Sequence, residues 1–359
     1  MRTPRVFVMM GAVAALLPAC SGVGSSHLAA TSSQPSTSAS TAPTTTAPTT
    51  TTTAPVLAPL TGLPVPATTD LSRPALGVKI DNHGDAQPQV GLDVADVVYE
   101  ERVEGITRFL AVFWSQDAEG VGPIRSARTS DINLLGSLGQ PLLAWSGGND
   151  GVRAAVADSD VVDVGVDAQS SLYYREPSRY APHNLMSDTA QLVSSAAGRG
   201  SPPQAPFAIN PSGPVPAGAI STPGIHVDLD GVVASWVYDA ASSKWLRYER
   251  GGPHVVASGT QISASNVVVM SMEYWPSPAD ANSPEAQSVG GGSGVILLPN
   301  GTAAQITWQR DDGHQPFSLL DTAGSPVAVR PGNTWIELPR ESHTTLMTAD
   351  EATALKALR

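Results

Sequence analysis

Residues 95–114 read Ala-Asp-Val-Val-Tyr-Glu-Glu-Arg-Val-Glu-Gly-Ile-Thr-Arg-Phe-Leu-Ala-Val-Phe-Trp. Ala95 to Glu101 alternates as a strand with one face in a core, and Ile106 to Trp114 is so rich in β-branched and aromatic residues that it reads as a central strand. Upstream, Arg73 to Ile80 is a short strand running into Asp81-Asn82-His83, and Gln87 to Leu92 is a Pro/Gly turn. Downstream, residues 122–128 (Gly-Pro-Ile-Arg-Ser-Ala-Arg) form a loop leading into a helix from Ser130 to Leu138. Pro141 to Ser146 is a buried strand ending on Gly147-Gly148, and Asn149-Asp150 opens a short helix through Val156. Strands interleaved with short helices predict an α/β or α+β domain over residues 70–200.

Residues 201–223 are dense in Pro, Gly, Ala and Ser and read as a linker. Beyond them the pattern changes to strands and turns, predicting a small antiparallel β domain over 224–340. Its strongest signal is Pro299-Asn300-Gly301-Thr302 between two apolar runs, since Asn-Gly accepts the positive φ angles of a tight hairpin. The five tryptophans of this half (236, 245, 275, 308, 335) suit core packing on alternating strands, or a platform for carbohydrate. Residues 341–359 carry a terminal helix.

The N-terminus carries a different kind of information. Arg2 and Arg5 precede an apolar run from Val6 to Leu17, which is signal length and too short for the ~20 residues that span a bilayer. Leu17-Pro18-Ala19-Cys20 fits a lipobox, and Cys20 is the single cysteine of 359 residues. Residues 1–19 are therefore expected to be a lipoprotein signal peptide, with Cys20 lipidated and the mature fold free of disulfides and thiol catalysis. Two or more acyl chains anchor far better than one, because each buried CH₂ contributes about 0.8 kcal/mol. From Ser21 to Thr69 there is no Asp, Glu, Lys or Arg, and the Thr/Ser/Pro-rich run predicts a disordered stalk over 20–69. The expected location is extracytoplasmic, anchored by lipid to the outer face of the cytoplasmic membrane.

A net charge of −12, without any Lys/Arg run, argues against nucleic acid as a partner. No Gly-x-Ser-x-Gly elbow or Ser-x-x-Lys motif supplies an activated serine. A divalent site could be drawn from His83, Asp81 and His183, but no paired His or Cys spacing supports it, so no metal and no cofactor is expected.

The run from Ile80 to Phe113, then Gly-Pro-Ile-Arg-Ser-Ala-Arg at 122–128 and Ala-Pro-His-Asn-Leu at 181–185, resembles the YerB-like lipoproteins, whose domain is one of unknown function. The likeness extends over nearly everything after residue 70. A single glycine, Gly105, stands before Ile-Thr-Arg-Phe where the family pattern has two. The resemblance implies family, topology and compartment, and no reaction.

The polar residues of these stretches fall at strand ends and in loops, where ligand sites are usually built. Asn82, His83, Glu100, Glu104, Arg108, Arg125, Arg128, His183 and Asn184 are the candidate ligand-binding residues, expected to line one pocket. Arg125 and Arg128 could hold a carboxylate or phosphate by two-point hydrogen bonding, or be tied structurally to Glu100 and Glu104. His83 and His183 serve either that pocket or ordinary loop packing. The functional expectation is a cell-envelope binding or accessory module for an anionic or glycan ligand. A wall or glycan hydrolase using the same Glu/His cluster is the alternative, and a scaffold for a protein partner the third reading.

Overall fold

The computed structural model describes residues 54–358. The expected signal peptide, Cys20 and the expected stalk as far as residue 53 lie outside them. Order begins earlier than residue 70. Val56–Leu57 pairs antiparallel with Pro64–Val65, and Ala58 and Leu60 are buried in the core. Freedom from charge marked this stretch as stalk, but Val56 to Leu60 is also the first apolar run after the threonines, and burial claims it.

The main sheet has eleven strands. Its hydrogen-bonded order is Ile220–Ser221, Thr302–Arg310, Gly290–Leu298, Asn266–Met270, Thr334–Leu338, Val97–Arg102, Thr107–Phe113, Leu76–Asp81, Leu142–Ala144 and Val162–Asp163, with Ser318–Asp321 beside Thr302–Arg310. Strands of both halves thus share one sheet, joined where Thr334–Leu338 runs parallel to Val97–Arg102, pairing Ile336 with Tyr99 and Glu337 with Glu100. The stretch read as a linker is also engaged: Phe207 is buried, Ile209 bridges Val329, and Ile220–Ser221 pairs with Thr302–Arg310. Small and Pro-rich composition predicts irregular backbone, and irregular backbone still packs when it carries a Phe and an Ile.

Alternation along each strand sorts side chains onto two faces. Leu76, Val78, Ile80, Val98, Phe109, Ala111, Phe113 and Trp335 share a core with Ile225, Ala234, Trp236 and Trp245 of a second, six-stranded sheet built on Gly224–Asp228, Val233–Asp239 and Lys244–Glu249. Val97, Tyr99, Leu110 and Val112 face the other way, onto the helix Thr129–Leu135 and its continuation Gly136–Leu138. The molecule is strand-rich with few, short helices. Among the described residues no helix is long and apolar enough to cross a membrane. The Asn300-Gly301 hairpin stands between Gly290–Leu298 and Thr302–Arg310, with Gly301 at φ +77°. Of the five tryptophans, four are buried and Trp275 alone is 56% exposed.

Candidate functional site

Alternation divides the nine candidate residues instead of collecting them. Glu100 shares a face with Val98 and lies fully buried between the two sheets, beside Asn82. Arg247, from the second sheet, donates through Nη2 to Glu100 Oε2 at 2.5 Å and through Nη1 to Glu249 Oε2 at 2.6 Å. Thr107 Oγ1 donates to Glu100 Oε1 at 2.7 Å, and Asn82 Nδ2 donates to Thr107 Oγ1 at 2.8 Å and to Glu249 Oε1 at 3.0 Å. The Arg247 guanidinium also packs over Phe109 and Trp335, with its carbon 5.4 and 5.2 Å from the ring centroids. His254 closes the network through Nε2 to Gln89 Oε1 at 2.9 Å and Nδ1 to Arg247 Nη1 at 2.6 Å. Because a guanidinium only donates, Nδ1 carries the lone pair, the proton sits on Nε2, and the ring is neutral.

The protonation states follow from burial. Burial, then the charge of Glu100, raises the Glu337 carboxyl well above its ordinary value. Burial and then the charge of Arg247 push His254 down to about 3. Burial would raise Glu249, but the charge of Arg247 and the hydrogen bonds from Arg247 and Asn82 hold it below its ordinary value. With Glu337 and His254 neutral, the two carboxylates Glu100 and Glu249 face Arg247 and Arg250, whose Nε is 3.1 Å from Glu249 Oε1. Paired charges at this depth hold two sheets in register; they do not face solvent as a catalytic pair would. Glu100 and Asn82 are therefore corrected from pocket lining to the inter-sheet core. The hydrolase reading loses its carboxylate pair, since Glu104 is exposed and lies beyond the strand end in the turn to the next strand.

The opposite face of the same strands carries a second buried cluster. Lys79 Nζ contacts Glu101 Oε1 at 2.5 Å and Asp131 Oδ1 at 2.6 Å, and Ser130 Oγ donates to Glu101 Oε2 at 2.6 Å. Asp131 is raised to about 6 by burial, against the pull of Lys79. These residues fasten the helix Thr129–Leu135 to the sheet.

At the rim of this face, where Leu76–Asp81 and Val97–Arg102, which run in the same direction on either side of Thr107–Phe113, both end, the remaining candidates other than Asn184 gather. The carboxyl ends of parallel strands are where open α/β sheets usually place ligands. Asp81, fully buried, is the cross-strand partner of Arg108; its Oδ2 lies 3.0 Å from Arg125 Nε and 2.6 Å from His183 Nδ1, and its Oδ1 accepts from the His83 backbone N–H at 3.1 Å. His83 stacks on His183 with ring centroids 4.4 Å apart. His83 Nδ1 accepts from the Asp85 backbone N–H at 3.2 Å. Arg128 pairs with Glu104, which Ser283 Oγ also contacts at 2.6 Å; burial opposes and these bonds outweigh it, lowering Glu104 to about 2. The two arginines thus bind Asp81 and Glu104, not Glu100 as the structural reading of the sequence had it.

Arg108 differs from both. It is 5% exposed, one Nη1 bond reaches the Ser126 carbonyl at 3.1 Å, and its Nε, like those of Arg125 and Arg128, is buried without a hydrogen-bond acceptor. Among the described residues it has no ion-pair partner. Burial, then the charges of Arg128 and Arg125, lower it to about 10. Asn184 belongs elsewhere: it accepts from Arg175 Nη1 at 2.6 Å and donates to the Arg179 carbonyl, fixing its own loop.

Sequence reasoning weighed Asp81, the hub of the rim, only as a metal ligand, and missed Arg247, Glu249, His254 and Glu337, the core of the inter-sheet network. A signal existed. Lys79 inside Leu-Gly-Val-Lys-Ile, Glu337 inside Trp-Ile-Glu-Leu and Arg247 inside Trp-Leu-Arg-Tyr are charges set between apolar neighbours of a strand.

Comparison with known proteins bears on the whole chain. Residues 60–202 match the family model "Protein of unknown function (DUF3048) N-terminal domain", and residues 225–336 match the corresponding C-terminal domain. The chain is 28% identical over 293 residues to a Bacillus subtilis (strain 168) protein named "Putative lipoprotein YerB", covering 78% of this chain and 85% of that one. It also superposes on the crystal structure of the YerB protein from Bacillus subtilis with a TM-score of 0.71 at 23% identity, covering 82% of this chain and all of the other.

Proposed function

The chain belongs to the YerB-like family, with the DUF3048 N- and C-terminal domains in tandem, and from that premise we propose a lipid-anchored extracytoplasmic module that binds an anionic ligand at the arginine-rich rim of its main sheet. The observation that carries the reading is Arg108. A guanidinium taken almost wholly out of water, with a buried Nε lacking an acceptor and two further arginines close enough to depress it, is costly unless something negative completes it. A phosphate or carboxylate accepts planar two-point bonds from such a fork, and Arg125 and Arg128 need only exchange part of their bonding to Asp81 and Glu104 to join in. The family name on the Bacillus relative and the lipobox at Cys20 support the anchor.

Two measurements test this. Titration with inorganic phosphate and with glycerol phosphate, followed by backbone amide NMR, is expected to show saturable shifts at residues 104–108 and 125–128. Arg108→Gln abolishes them while the melting temperature holds or rises. Shifts that persist in Arg108→Gln refute the site. Arg128→Ala, whose partner Glu104 is 43% exposed, costs under about 1 kcal/mol of stability, whereas Arg125→Ala costs more because Asp81 is wholly buried. For the anchor, Cys20→Ala releases the protein from the membrane fraction or leaves the uncut precursor; unchanged processing and membrane association overturn it.

A further inference from the structure

Beyond the arginines, the same rim holds His83, Asp85 and His183, and we propose that these three side chains bind a divalent transition-metal ion of the zinc class. One ligand atom from each lies within 4.8 Å of the other two, and among the described residues these three form the single group of His, Cys, Asp or Glu side chains that meets this condition. Ligand atoms around a tetrahedral zinc, at Zn–N distances of ~2.0–2.1 Å, stand roughly 3.3 Å apart. His83 Nδ1 already lies 3.5 Å from Asp85 Oδ2. Binding one ion also requires the His83 ring to turn out of its stack on His183, because an imidazole lone pair lies in the plane of its ring. His83 and Asp85 are free to turn, with side chains 43% and 77% exposed.

The nitrogens are also in the right state. His83 Nδ1 carries its lone pair, since it accepts a long 3.2 Å bond from the Asp85 backbone N–H that an ion would replace. His183 gives Nδ1 to the buried Asp81 carboxylate at 2.6 Å, which leaves Nε2 as its ligand atom. A carboxylate on the far nitrogen is the common way a metal-binding imidazole is oriented and made more basic. Asp81 is fixed in turn by the His83 N–H and by Arg125, so the orienting group is rigid while two of the three ligands are mobile. Three protein ligands leave a fourth position for water or an exogenous anion.

Nothing in the sequence spacing announces this site, because its two histidines are 100 positions apart and come together only when the loop after Leu76–Asp81 meets the one before Leu185–Ser187. A different histidine, His314, supplies the control. It lies near two carboxylates, 3.3 Å from Asp160 and 3.0 Å from Asp312, but offers no second histidine.

The full chain, stripped with chelator and held in phosphate-free buffer, is titrated with zinc chloride by calorimetry. One saturable site is expected. His83→Ala and His183→Ala each weaken it at least tenfold, and the double variant removes it. His314→Ala leaves it unchanged. Zinc also raises the melting temperature of the wild type but not of His183→Ala, by mass action on the native state. The absence of a saturable site overturns the proposal, as does zinc binding that survives the double variant or follows His314. Folding of each variant is checked by its melting curve without metal. If His183→Ala proves unfolded, the His83→Ala titration decides alone, because His83 is a half-exposed side chain at a loop.

Discussion

Single buried groups in the inter-sheet network set how stability responds to acid. His254 has an ordinary value of 6.5 and falls to about 3 in the fold. Between those values the unfolded chain takes a proton that the native ring refuses, so the contribution of His254 is present above pH 6.5 and is lost as pH falls toward 3. Glu337 acts in the opposite sense. Its raised value means the native state keeps a proton that the unfolded chain releases above about 4.5, so stability is lost as pH rises through that window. The two oppose each other around pH 5–6. Relative to wild type, His254→Gln is expected to gain stability as pH drops from 6.5, by at most about 1.4 kcal/mol per pH unit. Glu337→Gln is expected to gain as pH rises from 4.5. Urea midpoints at four pH values check both, and parallel pH curves for wild type and variants refute the assigned protonation states. Residue types at this scale were legible in the sequence, but partners were not. Glu100 and Glu101 are neighbours in the chain and belong to two networks on opposite faces of the sheet.

Elements were legible where a local signal was strong. The central strand Thr107–Phe113, the Asn300-Gly301 hairpin and the short helices at 129–138 and 150–157 stand where composition and period placed them. The start of the ordered chain was not, because a charge-free Thr/Pro/Ala stretch and a buried apolar hairpin share a vocabulary. Leu60 decides between them in the folded molecule. It is 2% exposed within the core that also holds Trp114 and Phe207. Leu60→Ala is expected to cost roughly 2–5 kcal/mol, the range for a buried leucine truncated to alanine. A substitution in a true stalk would cost nothing, so denaturant titration of this one variant separates the two.

The whole molecule depends on a pairing that no local pattern encodes. Thr334–Leu338 fills the gap between Asn266–Met270 and Val97–Arg102, parallel to both. Two family models meet in one chain, yet the sheet they form is continuous, and Arg247 of the second half neutralises Glu100 of the first. A fragment ending at residue 223 would leave the Val97–Arg102 edge open and the Glu100 carboxylate buried without its guanidinium. It is expected not to fold, while residues 54–359 melt in a single cooperative step. Two separate transitions in the long form, or a cooperatively folded 54–223 fragment, would show that the halves stand alone.

The sequence distance across that pairing, from residue 97 to residue 334, also fixes when folding can finish. Contacts of such separation form slowly, because the chain between must first be drawn together. The sheet stays divided until Thr334–Leu338 has been made. A chain led by the expected signal peptide would thus reach the secretion pore still threadable, and would lock only after Thr334–Leu338 had followed it across.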